Sequence, residues 1–291
     1  LSASAGLGCD RDSEERIWST ERLKWDGTQP PKWNEVSPSM QLDFTRCGRI
    51  TVEAAMFVDD SGGGAGTSYG YSKRDIDEML SSASAIVANA RLRGARAALT
   101  GRRVGDVWLL EGILDFVAPG AAVLVVGSQA PWYEALCLAA GAASVTTLEY
   151  NELSFEHPSL STVRPATFWR SPAKFDVILA ASSLDHDGLG RYGDPLSPDG
   201  DLLTVDALRN EALKVNGTFL LQVPIGDEDV LAWNVMRIYG PLRLLLLHFG
   251  FEIARRYPIT DANPPSNWRQ AHEPVFALKA ARGVDNSDEL R

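Results

Sequence analysis

The sequence is short of cysteine, of long apolar runs and of positive charge. Cys9, Cys47 and Cys137 are the three cysteines in 291 residues, far apart and odd in number. No C-x-x-C spacing occurs, so neither a zinc framework nor a disulfide scaffold is indicated, and a reducing, cytoplasmic setting is the default expectation. No apolar run approaches the roughly 20 residues that cross a bilayer. Lys and Arg number 28 against 38 Asp and Glu, a formal net charge of −10. Nucleic acid demands a clustered positive surface, so no nucleic-acid partner is expected, and no anionic membrane surface either. A small molecule is the expected partner, with the oligomeric state open. The chain opens at Leu1, not Met, so a trimmed or processed form is expected, any leader or anchor lying upstream.

What is present is enough for a core: 45% of residues are apolar and 23% charged. Residues 1–100 read as an N-terminal extension that covers the substrate side, and 101–291 as a Rossmann-like domain. Trp18, Trp25 and Trp33, with Pro30 and Pro31, read as an arm stapled to that domain by its large aromatics. Residues 61–66 (SGGGAG) form a glycine loop without the Gly-Lys-Ser ending of a phosphate loop, which removes the usual reason for a nucleotide role.

Helical spacing covers 73–98 and again 107–117, stopping at Pro119-Gly120. Residues 121–126 (AAVLVV) are a continuous apolar run, the pattern of a strand buried on both faces. A helix over 131–140 and strands over 144–150, near Phe168, over 175–182 and over 218–223 follow, with a helix over 201–214. Residues 229–249 read as helical with a break at Gly240-Pro241, and two last strands, 251–257 and 274–279, suit an antiparallel pair at a sheet edge. Strands alternating with helices imply a doubly wound, mostly parallel seven-stranded α/β sheet, the layout of the class I methyltransferases.

In such a sheet the ligand lies beyond the carboxyl ends of the strands at the switch point. The turn there is Gly127-Ser128-Gln129-Ala130-Pro131, where a glycine lets the backbone approach a ligand. Glu149 follows Gly127 by 22 positions and ends the second strand, the place of a carboxylate that accepts hydrogen bonds from ribose hydroxyls. One glycine stands where a dinucleotide turn has three, and S-adenosyl-L-methionine has no pyrophosphate to cradle; the turn therefore favours that cofactor over NAD. Gly127, Ser128, Gln129, Pro131, Glu149, Tyr150, Asn151 and Ser182 are the expected cofactor residues.

A polar loop, 182–201 (SSLDHDGLGRYGDPLSPDGD), follows the fourth strand and is too long for a mere connection. His186 is the candidate general base, since its ordinary pKa lets it take a proton near neutral pH; Asp185 or Asp187 would orient its ring. Asp185, His186, Asp187 and Asp194 are also a conceivable ligand set for Mg, Mn or Zn, although neighbouring residues seldom converge on one ion. Arg191, Tyr192, Asp194, Trp233 and Arg237 are the expected substrate residues; Arg191 could equally pair with Asp194.

The loop, together with 126–128 (VGS), 148–151 (LEYN), 223–226 (VPIG) and Trp233-Asn234 through 237–243 (RIYGPLR), resembles the DUF268 family, a methyltransferase-like family, over roughly residues 105–280. Asp185 stands where the family pattern has Glu. The resemblance implies the class I fold and S-adenosylmethionine as methyl donor; it does not identify the acceptor. Three functions follow: an O-methyltransferase acting on a hydroxylated small molecule or sugar, a metal-dependent or nucleotide-sugar enzyme on the same scaffold, or a cofactor-binding module without catalysis.

Overall fold

The structure is a computed structural model that describes residues 30–63, 66–258 and 272–281. Trp18, Trp25 and Cys9 lie outside the described residues. The chain runs through α1 (Pro38–Phe44), β1 (Thr51–Glu53), β2 (Ser68–Tyr71), α2 (Lys73–Arg93), α3 (Ala95–Ala98) and α4 (Val104–Phe116). It continues through β3 (Ala122–Val126), α5 (Trp132–Ala140), β4 (Ser144–Leu148), β5 (Glu152–Phe155), β6 (Leu160–Val163), α6 (Pro165–Phe168) and β7 (Phe175–Ala181). It closes with α7 (Gly200–Ala207), β8 (Leu213–Gln222), β9 (Val230–Ala232), β10 (Met236–Ile238), α8 (Pro241–Leu247), β11 (Phe251–Tyr257) and β12 (Val275–Ala280).

Seven strands form one sheet in the order β11-β12-β8-β7-β3-β4-β6. β3, β4, β6, β7 and β8 pair in parallel, and β12 runs antiparallel to both β8 and β11. This is the class I methyltransferase arrangement: a doubly wound sheet with an antiparallel strand slotted in near one edge. Because side chains alternate across a strand, Val123 and Val125 point into a core shared with α2, α4 and α5, while Leu124 and Val126 point into a second core with α7 and α8. All four are at most 7% exposed; full burial of such a side chain contributes about 1.5–3 kcal/mol.

α2 begins at a capping box: the Ser72 hydroxyl accepts from the Asp75 amide, and the Asp75 carboxylate accepts from the Ser72 amide. It ends at Gly94, whose φ of +87° suits glycine. Ile76, Ala83, Val87 and Ala90 make its buried face.

Four expectations need correction. The third strand is β6; Phe168 belongs to α6, which opens on Pro165. Residues 229–240 are not helical. β9 and β10 are an antiparallel pair, and β9 also pairs in parallel with β1, making a small separate sheet with the N-terminal segment. The helix over 201–214 stops earlier: α7 passes through one π turn, residues 208–212, into β8. Finally, Cys47 is disulfide-bonded, a departure from the expectation of isolated thiols and a bond of the kind that persists in oxidising compartments. Cys137 is a free thiol buried on α5, and burial raises its pKa.

Of the arm's three tryptophans, Trp33 is the one among the described residues: it packs tilted against Trp233, and Phe44 packs edge-on against the same ring, at ring separations of 5.1 Å each, joined by Val36, Met40, Ile50, Leu189, Leu196 and Leu231. This third cluster ties residues 33–50 to the 182–201 loop and to β9. No helix among the described residues is long and apolar enough to cross a membrane.

Candidate active site

β3 is flanked by β4 on one side and by β7 on the other, so the strand order reverses at β3 and the carboxyl ends of these strands open a switch point there. A cleft of about 230 Å3 opens there. Its floor and one wall are Val126, Gly127, Gln129, Leu148, Glu149 and Tyr150; the opposite wall is Ser182, Ser183, Leu184, His186, Asp187, Tyr192, Asp194 and Thr204; Pro165 and Trp169 close a third side. Nine of the residues expected from sequence thus meet: Gly127, Gln129, Glu149, Tyr150, Ser182, His186, Asp187, Tyr192 and Asp194.

Glu149 is 7% exposed. Its Oε1 accepts from the Asn151 amide at 3.0 Å and from Asn151 Nδ2 at 2.9 Å. Burial raises its carboxyl pKa, and the Asn151 bonds oppose that rise. Asn151, expected to touch a cofactor, is itself buried and does not line the cleft; besides Glu149 it holds the Thr67 amide at 2.8 Å. It is an orienting residue. Tyr150 is 45% exposed, with its hydroxyl 3.5 Å from Asp187 Oδ1.

The turn after β3 departs in part from its sequence reading. Gly127 lines the cleft, but the room its missing side chain leaves is taken by Ser183 and not by a ligand. Ser128 turns inward, its hydroxyl 2.9 Å from the Ala130 carbonyl and 3.2 Å from Glu134 Oε2. Pro131 sits at the N-cap of α5. Neither Ser128 nor Pro131 lines the cleft, because both belong to the packing that shapes the turn. Gln129 does, and Tyr69 and Tyr71 reach it from β2: Tyr71 donates to its carbonyl at 3.1 Å and Tyr69 to its Oε1 at 3.4 Å.

His186 Nδ1 lies 2.6 Å from the Val235 carbonyl. A carbonyl only accepts, so this contact, much shorter than the 3.5 Å from Nδ1 to Arg191 Nη1, assigns an N–H to Nδ1 and makes Nε2 the nitrogen available for proton transfer. Asp185 Oδ2 is 3.5 Å from that Nε2. Asp185 is wholly buried, neither of its oxygens has a hydrogen-bond partner, and burial raises its pKa. It does not line the cleft; it lies on the Nε2 side of the imidazole. Asp187 faces the cleft instead, accepts a short bond from the Thr204 hydroxyl, and burial followed by the nearby Asp194 charge pushes its pKa up to about 6.

Asp194 borders the cleft but serves the loop. Its carboxylate accepts the amides of Gly188, Gly190 and Tyr192 at 2.7–3.2 Å. Arg191 points away, with Nε on Asp60 at 2.7 Å and Nη1 on the Val235 carbonyl at 3.2 Å, so it pairs with Asp60 and not with Asp194. Trp233 and Arg237, expected on a helix facing substrate, are 1% and 2% exposed and lie in the β9–β10 hairpin. Trp233 Nε1 donates to the Pro31 carbonyl. Arg237 donates to the carbonyls of Asp187, Ser197 and Pro198, clamping both ends of the loop from beneath. Arg237 and Arg243 both approach Asp201; burial alone would raise that carboxyl, and the two guanidiniums hold it below its usual pKa. The loop's own acids therefore face three ways, and no group of three His, Cys, Asp or Glu suited to a metal gathers among the described residues.

Trp169, Pro165, Ser183, Leu184 and Thr204 were not anticipated. For Trp169 and Pro165 a signal existed: a proline that can open a helix directly after a strand, with a tryptophan four residues on.

A family model described as "Caenorhabditis protein of unknown function, DUF268" matches residues 120–273. No curated protein matches the chain. Among solved structures it is similar to a SAM-dependent methyltransferase of the DUF858 family from Leishmania major, at 14% identity over 70% of this chain and 82% of that one, TM-score 0.42. It is also similar to a TehB-like SAM-dependent methyltransferase from Corynebacterium glutamicum, at 16% identity over 67% and 98%, TM-score 0.40. A ribosomal protein L11 methylase from Lactobacillus delbrueckii subsp. bulgaricus is similar at 12% identity over 62% and 80%, TM-score 0.37.

Proposed function

The chain belongs to the DUF268 family, and from that premise we propose that it is an S-adenosylmethionine-dependent methyltransferase that methylates a hydroxyl on a small molecule or sugar. The observation that carries the reading is Glu149. It is a carboxylate at the end of the second strand, at the switch point of a class I sheet, aimed by Asn151 into an open cleft.

The lining suits this cofactor. Glu149 offers an acceptor for ribose hydroxyls, Pro165 and Trp169 offer apolar walls for a purine, and the carboxyls of Glu149 and Asp187 favour a cationic sulfonium. No Lys or Arg lines the cleft among the described residues, which disfavours the pyrophosphate that a nucleotide-sugar reading requires. When bound, S-adenosylmethionine supplies an electrophilic methyl group.

The protein's share is then to position the acceptor and to take its proton. His186 is suited to the second task because Val235 fixes the tautomer that leaves Nε2 basic. As Nε2 gains the proton, Asp185 at 3.5 Å offsets the new imidazolium charge. Tyr192 packs edge-on against the same ring at 5.8 Å and borders the acceptor side.

Titration calorimetry with S-adenosylmethionine tests the cofactor. Micromolar binding that Glu149→Ala abolishes supports the reading, and a chain that takes up no S-adenosylmethionine overturns it. Methyl transfer from labelled cofactor to a panel of hydroxylated acceptors then tests the reaction.

A further inference from the structure

Beneath the cleft, outside the residues assigned above, lies one carboxyl with no exposure at all. Glu134 sits in the first turn of α5, and its side chain reaches both elements that carry the cofactor residues. Oε1 accepts from the Thr147 hydroxyl at 2.8 Å, two positions before Glu149 on β4. Oε2 is 3.2 Å from Ser128 Oγ, next to Gly127 in the turn after β3.

Proton counting makes this arrangement two-valued. The Ser128 hydroxyl has one hydrogen and two acceptors in reach, the Ala130 carbonyl at 2.9 Å and Glu134 Oε2 at 3.2 Å. If Glu134 is ionised, it attracts that hydrogen, and Ala130 loses its side-chain donor. If Glu134 is neutral, its own hydrogen goes to Ser128 Oγ, and Ser128 is free to donate to Ala130 and close the turn. Thr147 donates to Oε1 in both cases.

We propose that Glu134 is a positioning residue for the cleft, its proton setting the direction of the Ser128 hydroxyl and so holding the 127–131 turn closed. The closed turn is the ligand-binding form. This rests on the methyl-donor reading for its ligand, not for its mechanism.

The surroundings place the change in a useful pH range. Burial pushes Glu134 up to about 7, against the lowering effect of its own backbone amide and of the Thr147 and Ser128 bonds, with the Glu149 charge just past β4 adding to the rise. The other titratable groups coupled to it are Cys137 on its own helix and Tyr71 on β2, both of which it pushes up in turn. On α5's packing partner α4, Asp106 engages Tyr133, and on α2, Arg91 engages the Ala140 carbonyl.

The test uses the whole chain as wild type, Glu134→Gln and Ser128→Ala. The glutamine amide mimics the neutral acid, donating to Ser128 and accepting from Thr147. Without ligand, amide exchange at residues 128–130 and 132, corrected for intrinsic rates, is expected to quicken severalfold from pH 6 to pH 8 in wild type, and to be pH-independent in Glu134→Gln and Ser128→Ala. An equal pH response in wild type and Glu134→Gln overturns the proposal, whether or not a ligand binds. With S-adenosylhomocysteine, whose uncharged sulfur does not respond to the ionising Asp187 carboxyl, the dissociation constant is expected to rise about tenfold over the same range in wild type and to stay level in Glu134→Gln. A wild-type slope that is level, or one that persists unchanged in Glu134→Gln, overturns the turn mechanism. Absence of S-adenosylmethionine binding at both pH values strikes the methyl-donor reading and leaves the exchange data to decide the role of Glu134.

Discussion

Gly127 and Ser183 approach so closely that a Cβ placed on the glycine would lie 2.4 Å from Cβ of the serine. The glycine also has φ +72°, a conformation that resists any L side chain. Two separate causes thus fix this residue. Gly127→Ala is expected to destabilise the fold by about 2–4 kcal/mol, from overlap and from backbone strain together. Adding Ser183→Gly relieves the overlap alone and should restore roughly half of the loss. Urea unfolding of the two variants checks this; a double variant no more stable than the single one contradicts the assigned contact.

His186→Asn keeps a side-chain N–H for the Val235 carbonyl but removes the basic nitrogen. Methyl transfer should fall about 100- to 10,000-fold, the usual range for a lost general base. Cofactor affinity should change less than about threefold, because the ring holds no part of the cofactor end of the cleft. Single-turnover rates and calorimetry on the same variant separate the two.

Arg237 serves three loop carbonyls and shares Asp201 with Arg243. Arg237→Leu leaves buried acceptors bare and a buried carboxylate short of one counter-charge. A loss of about 3–5 kcal/mol is expected, and Arg237→Lys should recover only a fraction, since an ammonium cannot span the same carbonyls. Denaturant midpoints of the two variants give the comparison.

His248 lies against Phe276, its ring centroid 4.6 Å away, with Nε2 buried and unpartnered. Burial, then the Arg256 charge, lowers its pKa to about 4. The folded state thus resists a proton that the unfolded chain accepts near pH 6.5, so stability falls as pH drops from about 6.5 towards 4. The contribution is on the order of 3 kcal/mol. His248→Phe should flatten that limb of the stability curve, and thermal unfolding at pH 7 and pH 4.5 reads the difference.

The sheet was legible because it is local. The apolar runs of β3 and β7 and the acid at the end of β4 are fixed by a few neighbouring residues, and so was the meeting of Gly127, Glu149 and the His186 loop. What escaped is non-local. Trp233 and Arg237 stand four apart, as on a helix face, yet β9 pairs with β1 some 180 positions earlier, and a strand pair so distant leaves no periodic trace. Ser128 reads as a ligand contact until Glu134 is seen to claim its hydroxyl. Arg237 reads as a substrate contact until the loop carbonyls that bury it are in place.

The β1–β9 pairing also bears on how the chain is made. Residues 51–53 leave the ribosome some 180 residues before their partners at 230–232, so the arm has nothing to dock on over that stretch of synthesis. The same pairing sets a lower limit on a working fragment. A piece trimmed to residues 120–273 would expose the Trp233 indole and strip the outer support from the histidine loop, so its instability would report the missing arm and not a defect in the residues retained.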